Sequence, residues 1–330
     1  MFRSRKYQIS LVLTMLLIGN CFFLSGCQKQ ELTNAYCNTN INVADTSEDV
    51  VSESSVQKLE AFSSQLAVLP ENFTNQFSYE SNVGEMLLVN DDTNEILYSM
   101  NSMKEIAPAS TTKILTAYIV LQKCNLNDTV TLQSDIALED GAVALFIGKG
   151  DTITVDELLH GLLIESANDC AVALARHVSG SVDAFAELMN ETALSLGATH
   201  SHFSNPHGLD EKNHYSCAYD LYLIFKQALT NDHFREIIGT KQYTIQYTDE
   251  KGEKVKVPIS STNQYFKGQY AIPEGVTIVG GKTGTTSNAG NCLVLSAENA
   301  AGEHLIGVVL CATDRSQLYD TMSHLLCKNQ

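Results

Sequence analysis

Three short polar motifs stand in a fixed order along the chain, Ser110-Thr-Thr-Lys113, Ser166-Ala-Asn168 and Lys282-Thr283-Gly284. A fold that uses them together must bring three distant segments to one place. Each motif is weak alone, because a serine three residues before a lysine recurs at Ser55 and Lys58, and a serine two before an asparagine recurs at Ser99 and at Ser261. Context removes the duplicates. Ser55 lies in a polar stretch with no apolar period, Ser99 precedes the first motif, and Ser261 stands too close to Lys282 for a helical lobe to intervene.

Around the first motif, Pro108 suits a first helical turn, and Ile114, Leu115, Ala117, Tyr118, Val120 and Leu121 follow at the period of a buried helix. Ser110 therefore falls at a helix N-terminus, where the dipole favours a developing negative charge. Lys113 returns to the same face one turn later, within reach of the Ser110 hydroxyl. A lysine acts as a base near neutral pH only if burial or a second cation lowers its pKa, and Lys282 is the candidate cation. Nucleophile, base and tuning charge together spell serine acyl transfer.

Ser166 and Asn168 form a polar island between the apolar segments Leu158 to Ile164 and Ala171 to Ala175. There Ser166 can relay a proton and the Asn168 amide can hold a peptide carbonyl, although a serine at such a junction also suits plain helix capping. The third motif follows Val276, Thr277, Ile278 and Val279, which read as a strand, and Gly280, Gly281 and Gly284 let another backbone lie close. Lys282 and Thr283 suit an anionic carboxylate, and the N–H groups of Thr285 and Ser110 could form an oxyanion hole. Arg315, just after the apolar run Leu305 to Ala312, is a candidate second cation for that carboxylate.

The three motifs resemble those of penicillin-binding proteins and serine β-lactamases. Their flanks are similar to the low-molecular-mass D-alanyl-D-alanine carboxypeptidases: Ala107-Pro-Ala-Ser-Thr-Thr-Lys113, GKGDTITVDELL from Gly148, ESANDCAVALA from Glu165, Asn205-Pro-His-Gly-Leu-Asp210 and Gly281-Lys-Thr-Gly-Thr-Thr286. The resemblance covers roughly residues 80 to 325. It implies an α/β (α+β) chain of the β-lactamase/transpeptidase-like fold, an antiparallel sheet flanked by helices with a helical lobe. It also implies a peptidoglycan stem peptide ending in D-Ala-D-Ala as substrate, β-lactams as covalent inhibitors, and no cofactor or metal. Ala167 departs from the family's usual glycine, and its methyl is expected to narrow the cleft.

With 44% of the chain hydrophobic, the stretch after residue 78 suits one domain with a full core. A catalytic domain is expected over 79–330, without the all-β C-terminal domain common in the family. Its strands should include Met86 to Val89, Glu95 to Tyr98, Cys292 to Ala297 and Leu305 to Ala312, with a closing helix from Ser316 to Cys327. Sheet strands from both ends would bracket the helices.

The N-terminus carries Arg3, Arg5 and Lys6, then an apolar run from Ile9 to Leu24 that contains Asn20 and is short for a membrane span. Residues 1–26 read as a secretion signal, and Leu24-Ser-Gly-Cys27 resembles a lipoprotein box in which Cys27 receives the lipid. Residues 27–78, rich in Ser, Asn, Glu, Thr and Gln, read as a flexible tether with at most a short helix near Val56 to Leu69. A coil of that length spans roughly 40 Å. Attachment to the outer face of a bacterial cell membrane through an N-terminal lipid is the expected arrangement, with a transmembrane anchor as the alternative.

A net charge of −17, from 38 acidic and 21 basic residues, argues against nucleic acid as a partner. Of nine cysteines, Cys21 leaves with the signal and Cys27 takes the lipid, so an odd number remains and at least one is unpaired. Free thiols are expected, with Cys124, Cys170, Cys292 and Cys311 as small core residues. His200, His202, His207 and His214 cluster in sequence, but no acidic ligand or base stands at metal-site spacing, so a catalytic metal is not expected.

Three function classes remain. A D,D-peptidase, with carboxypeptidase, endopeptidase and transpeptidase variants, uses all three motifs. A β-lactamase of the glutamate-assisted type needs an ExxLN loop, and Glu187-Leu-Met-Asn190 falls in a helical pattern instead. A silent wall-binding module is disfavoured because every catalytic position is filled.

Overall fold

Met86 to Val89, Leu293 to Val294 and Leu305 to Leu310 are apolar on both sides of a period-2 pattern, which requires a sheet covered on both faces. The computed structural model describes residues 83–139 and 141–327, with residues 66–69, 73, 75 and 79 before them. In chain order these form β1 (Glu85–Asn90), β2 (Glu95–Met100), a 3-10 turn (Ala109–Thr112), α1 (Lys113–Lys123), β3 (Thr129–Thr131) and β4 (Thr152–Thr154). Next come α2 (Val155–His160), a π turn (Gly161–Glu165), α3 (Asn168–Ser179), α4 (Val182–Ser195), α5 (Ala218–Ala228) and α6 (Asp232–Gly239). Then follow β5 (Gln242–Thr248), β6 (Lys254–Ser260), β7 (Thr277–Thr286), β8 (Gly290–Glu298), β9 (His304–Ala312) and α7 (Arg315–Cys327).

The five long strands form an antiparallel sheet in the order β2-β1-β9-β8-β7, so the first and last strands of the chain are neighbours. Met86 stands opposite Val309 and Leu88 opposite Gly307. The alternation is used on both faces. Leu87, Val89, Val294, Ile306, Val308 and Leu310 join the large core shared with the helical lobe, while Met86, Leu88, Leu293, Leu295 and Val309 pack with Leu318, Met322 and Leu325 of α7. The four expected strands and the closing helix all form, each longer than expected by one to three residues.

In the lobe, α1 is buried on nearly every side, through Ile114, Leu115, Ala117, Ile119 and Val120. Local signals set the helix starts around it. Thr154 caps α2 by accepting from Glu157 N at 3.2 Å, with the glutamate at the third helical position, and Asn231 caps α6 by accepting from Phe234 N. A second sheet, β3-β4-β5-β6, borders the lobe and was not expected. Two of its strands have three residues each, and β5 buries only Ile245 fully, so the apolar signal is thin.

The signal segment, Cys27, Cys37 and most of the expected tether lie outside the described residues. Part of that stretch is held by the domain: the Tyr219 hydroxyl donates to Ala67 O at 2.8 Å, Ala67 N donates to the Tyr222 hydroxyl at 3.3 Å, and Ala67 is buried. At Ala67 the stretch expected as a flexible tether is anchored, since a buried backbone gripped at both polar groups is part of the fold. Cys124, Cys170, Cys217, Cys292, Cys311 and Cys327 are free thiols. Cys217 adds an unforeseen role, capping α5 by accepting from Asp220 N at 3.4 Å. Among the described residues no helix is long and apolar enough to cross a membrane.

Candidate active site

The sequence places Ser110 one step before a helix that is buried all round, and the backbone makes an abrupt entry there. Ala109 is left-handed, with φ 50°, and Ser110 follows inside a 3-10 turn that leads into α1 at Lys113. A non-glycine residue with positive φ costs free energy and marks a position the surroundings over-determine. Here it sets Ser110 at the groove wall.

Lys113 is fully buried beneath Ser110. Its Nζ lies 2.9 Å from Ser110 Oγ, 2.8 Å from Asn168 Oδ1 and 2.5 Å from His207 O. Burial first, and the charge of Lys282 second, push its pKa well below the usual lysine value. Asn168 Oδ1 and the His207 carbonyl are acceptors only, so each takes a hydrogen from the Lys113 amine, and Ser110 Oγ is the third partner of Nζ. In its neutral form the amine gives those two acceptors its two hydrogens and leaves its lone pair for the Ser110 hydroxyl. That arrangement can remove the proton as Ser110 attacks an acyl carbon.

The second motif sits at a junction. Helix α2 widens into the π turn, a form that recurs at functional sites, and Ser166 ends it in a left-handed conformation with φ 68°. Ser166 is thus not the cap of α3; Ala167 occupies that position at φ −64°, where a methyl causes no strain. Ala167 is fully buried in the lobe core, so its methyl does not narrow the groove. Asn168 is also turned inward: Nδ2 donates to Val143 O at 3.0 Å while Oδ1 holds Lys113. Only its second Nδ2 hydrogen is left for a substrate carbonyl.

The third motif lies inside β7 rather than after it. Lys282 is fully buried, and its Nζ donates to Ser166 Oγ at 2.9 Å and to Thr283 O at 2.8 Å. Burial lowers its pKa to about 7. Gly284 has a steric reason. A Cβ at that position would stand 2.8 Å from Ser110 N and 2.9 Å from Ala109 Cβ, so only glycine lets the strand lie against the nucleophile turn. A Cβ on Gly208, at φ 85°, would overlap Ala109 O even more severely, so glycine there lets the Asn205 to Asp210 loop pack against that turn.

Ser110, Ser166, Thr283, Gly284, Thr285 and Arg315 line one groove of about 210 Å³. The same groove takes in Thr262, Gln264 and Lys267, which sequence reasoning missed. The Thr283 hydroxyl donates to Thr262 Oγ1 at 2.6 Å, and Lys267 brings a second exposed cation beside Arg315. The loop holding these residues follows β6, and no motif spacing marks it. Its Ser261-Thr-Asn263 was set aside as a duplicate motif; its middle residue nonetheless touches the site.

Loop 143–147 closes one side. Its backbone is pinned by the buried Asp169 carboxylate, which accepts from Leu145 N at 3.1 Å and Ile147 N at 3.2 Å, and Val143 reaches the groove. Two of the four clustered histidines, His207 and His214, are built into the fold. His214 lies 2.9 Å from Thr112 Oγ1 and accepts from Ser204 N, while His207 Nδ1 accepts from Leu209 N. Burial lowers His207 to about 3 and His214 to about 4, so both rings are neutral.

A family model described as D-alanyl-D-alanine carboxypeptidase matches residues 72–314. The chain is 36% identical over 231 residues to D-alanyl-D-alanine carboxypeptidase DacF of Bacillus subtilis, covering 68% of this chain and 56% of that protein. It is 35% identical over 241 residues to DacC of Escherichia coli, covering 69% and 56% respectively. The chain thus spans little more than half the length of these curated relatives. The crystal structure of the Streptomyces K15 DD-transpeptidase superposes with a TM-score of 0.69 at 30% identity, over 76% of this chain and 97% of that one. Sequence and fold agree, and the chain belongs to the D-alanyl-D-alanine carboxypeptidase family.

Proposed function

We propose that this protein is a penicillin-sensitive serine D,D-carboxypeptidase that removes the terminal D-Ala from peptidoglycan stem pentapeptides. The observation that carries the reading is the buried Lys113 amine, its pKa held well below the usual lysine value, 2.9 Å from Ser110 Oγ at the wall of a groove with a cationic rim. Ser110 attacks the carbonyl between the two D-alanines and Lys113 takes its proton. Ser166, held by Lys282, passes a proton to the departing amine, so D-Ala leaves and an ester to Ser110 remains. Water then cleaves the ester. Asn168 orients Lys113, while Lys282, Thr283, Thr285 and Arg315 receive the free carboxylate, with Gly284 giving the backbone clearance.

Two features bear on neighbouring activities. Among the described residues no carboxylate lines the groove, and Asn190 of the sequence Glu187-Leu-Met-Asn190 is committed to the backbone of Ala186 and Phe203, which argues against an ExxLN deacylation device. A similar solved structure is titled a DD-transpeptidase, so an amine could replace water as the acceptor. Product analysis on a stem pentapeptide, with and without an amine acceptor, tests the assignment. Release of D-Ala with a tetrapeptide product is the expected result; an amide product alone would assign transpeptidation. With fluorescent penicillin, a long-lived label supports the peptidase and rapid loss of label supports the lactamase.

The reading extends to location. The basic start, the short apolar run and Leu24-Ser-Gly-Cys27 support export and lipid attachment at Cys27, with the catalytic domain working on nearby wall. Cys27→Ala is expected to move the protein from the membrane to the soluble fraction, or to stall processing. Unchanged membrane association with an intact N-terminus would assign a spanning segment instead.

A further inference from the structure

Outside the groove, Asp156 and His160 stand one turn apart on α2, and His233 approaches them from the first turn of α6. One ligand atom from each lies within 4.8 Å of the others. His233 Nε2 is 2.6 Å from Asp156 Oδ1, and His160 Nδ1 is 3.4 Å from the same oxygen. None of the three lines the groove. We propose that Asp156, His160 and His233 form a structural site for a divalent cation of the zinc class, which pins α2 to α6.

The donor set fits. Two imidazoles and one carboxylate, with the fourth position left to water, suit zinc and its neighbours in the first transition row. A tetrahedral site with bonds of about 2.0–2.1 Å has ligand edges of roughly 3.3 Å. The observed separations bracket that value, so side-chain adjustments of about an ångström close the site. His160 is nearly buried, while Asp156 and His233 keep partial exposure, at 31% and 24% of their side chains, which gives a cation and its water a way in.

The surroundings hold the ligands as metal sites commonly do. On the far side of the His233 ring, Nδ1 lies 3.5 Å from Glu236 Oε2, the carboxylate–histidine pairing that turns the other nitrogen towards a metal. The His160 ring is stacked on Tyr243 of β5, with centroids 3.9 Å apart and planes 20° apart. A plain Asp156–His233 ion pair would need neither of these. His160 Nδ1 also lies 2.9 Å from Asp156 O, and binding a cation there requires the tautomer with the ring proton on Nε2.

The position gives the site a consequence. Helix α2 runs through the π turn to Ser166, and α6 ends at Gly239, where its backbone lies against Gly280 of β7. A cation joining α2 to α6 would therefore brace the supports of the second and third motifs. The proposal does not depend on the serine chemistry.

Cobalt and zinc binding to the purified full chain tests it, with Cys327→Ser as background to remove an exposed thiol. The expected result is one equivalent of Co²⁺ with visible absorption of a nitrogen- and oxygen-bound site, displaced by Zn²⁺, and a Tm that climbs with cation concentration. His160→Gln with His233→Gln, and separately Asp156→Asn, should abolish both effects while circular dichroism reports an unchanged fold. Glu236→Gln should weaken affinity about 10–100-fold, as for other outer-shell carboxylates. Absence of stoichiometric binding at millimolar cation, or undiminished binding in correctly folded Asp156→Asn, overturns the site. Identical affinity in Glu236→Gln overturns the orienting role of that carboxylate.

Discussion

Lys282 Nζ donates to Ser166 Oγ at 2.9 Å, a bond between two motifs 116 residues apart in the chain. It divides labour between the two buried lysines. Lys113 lies against Ser110, Asn168 Oδ1 and the His207 carbonyl, whereas Lys282 donates to Ser166 and Thr283 O and adds its charge to the burial that lowers the pKa of Lys113.

Ser110→Ala should abolish covalent penicillin labelling with a stability change within about 1 kcal/mol, because the hydroxyl's partner in the structure is Lys113. Lys113→Ala should lose acylation almost as fully, since residues that act as a unit are not additive. Stoichiometric labelling of the Ser110 variant, read by mass spectrometry, would move the nucleophile elsewhere.

Acylation by a peptide with a free carboxylate should show a bell-shaped pH profile in kcat/KM. As pH falls, Lys113 protonates through its depressed pKa and the base is lost. As pH rises through about 7, Lys282 loses its charge and the anion is held less well. A peptide capped as the amide should keep the acidic limb and lack the alkaline one. Matching profiles for the two peptides would remove Lys282 from carboxylate capture.

How much of this was legible in the sequence depends on what kind of signal each part left. Helix α1, the strands β1, β2, β8 and β9, and the closing helix were readable because their apolar residues repeat at a clean period. The second sheet left a fainter trace, yet Tyr243, Ile245 and Tyr247 alternate, as do Val255, Val257 and Ile259, on either side of Lys251-Gly252. That hairpin pattern was available and passed over. Thr262 and Lys267 left none, because a loop residue reaches the groove only through tertiary placement. Asn168 was identified by type, but its inward turn depends on Val143, a partner 25 residues away.

Gly284→Ala should slow penicillin acylation by at least tenfold while the protein still folds. The added methyl would meet Ser110 N at 2.8 Å, and overpacking of this size costs about 1–3 kcal/mol, taken up by shifting the nucleophile turn. Stopped-flow acylation rates check it, and a rate equal to the parent's would show that β7 can retreat.

Arg315→Ala and Lys267→Ala should each raise KM for the free-acid peptide, and together by about tenfold or more, as expected for roughly 1.5–3 kcal/mol of charge-assisted bonding. The amidated peptide should respond much less. Unchanged KM for Arg315→Ala alone would leave the rim charge to Lys267, a residue of the loop after β6.

The strand that carries Lys282 has a sheet neighbour on one side only, since β7 ends the order β2-β1-β9-β8-β7. An open edge invites any extended chain to pair with it, which would serve peptide binding in the proposed reaction and expose the protein to self-association. The edge is guarded by its own composition. Gly280, Gly281 and Gly284 weaken its attraction for other strands, the register slips between Ile278 and Gly280, and a buried lysine stands at its centre. Selection for a stickier edge, through branched apolar residues at Gly281 or Thr283, would therefore trade turnover for self-association, and solubility here is part of the same design as specificity.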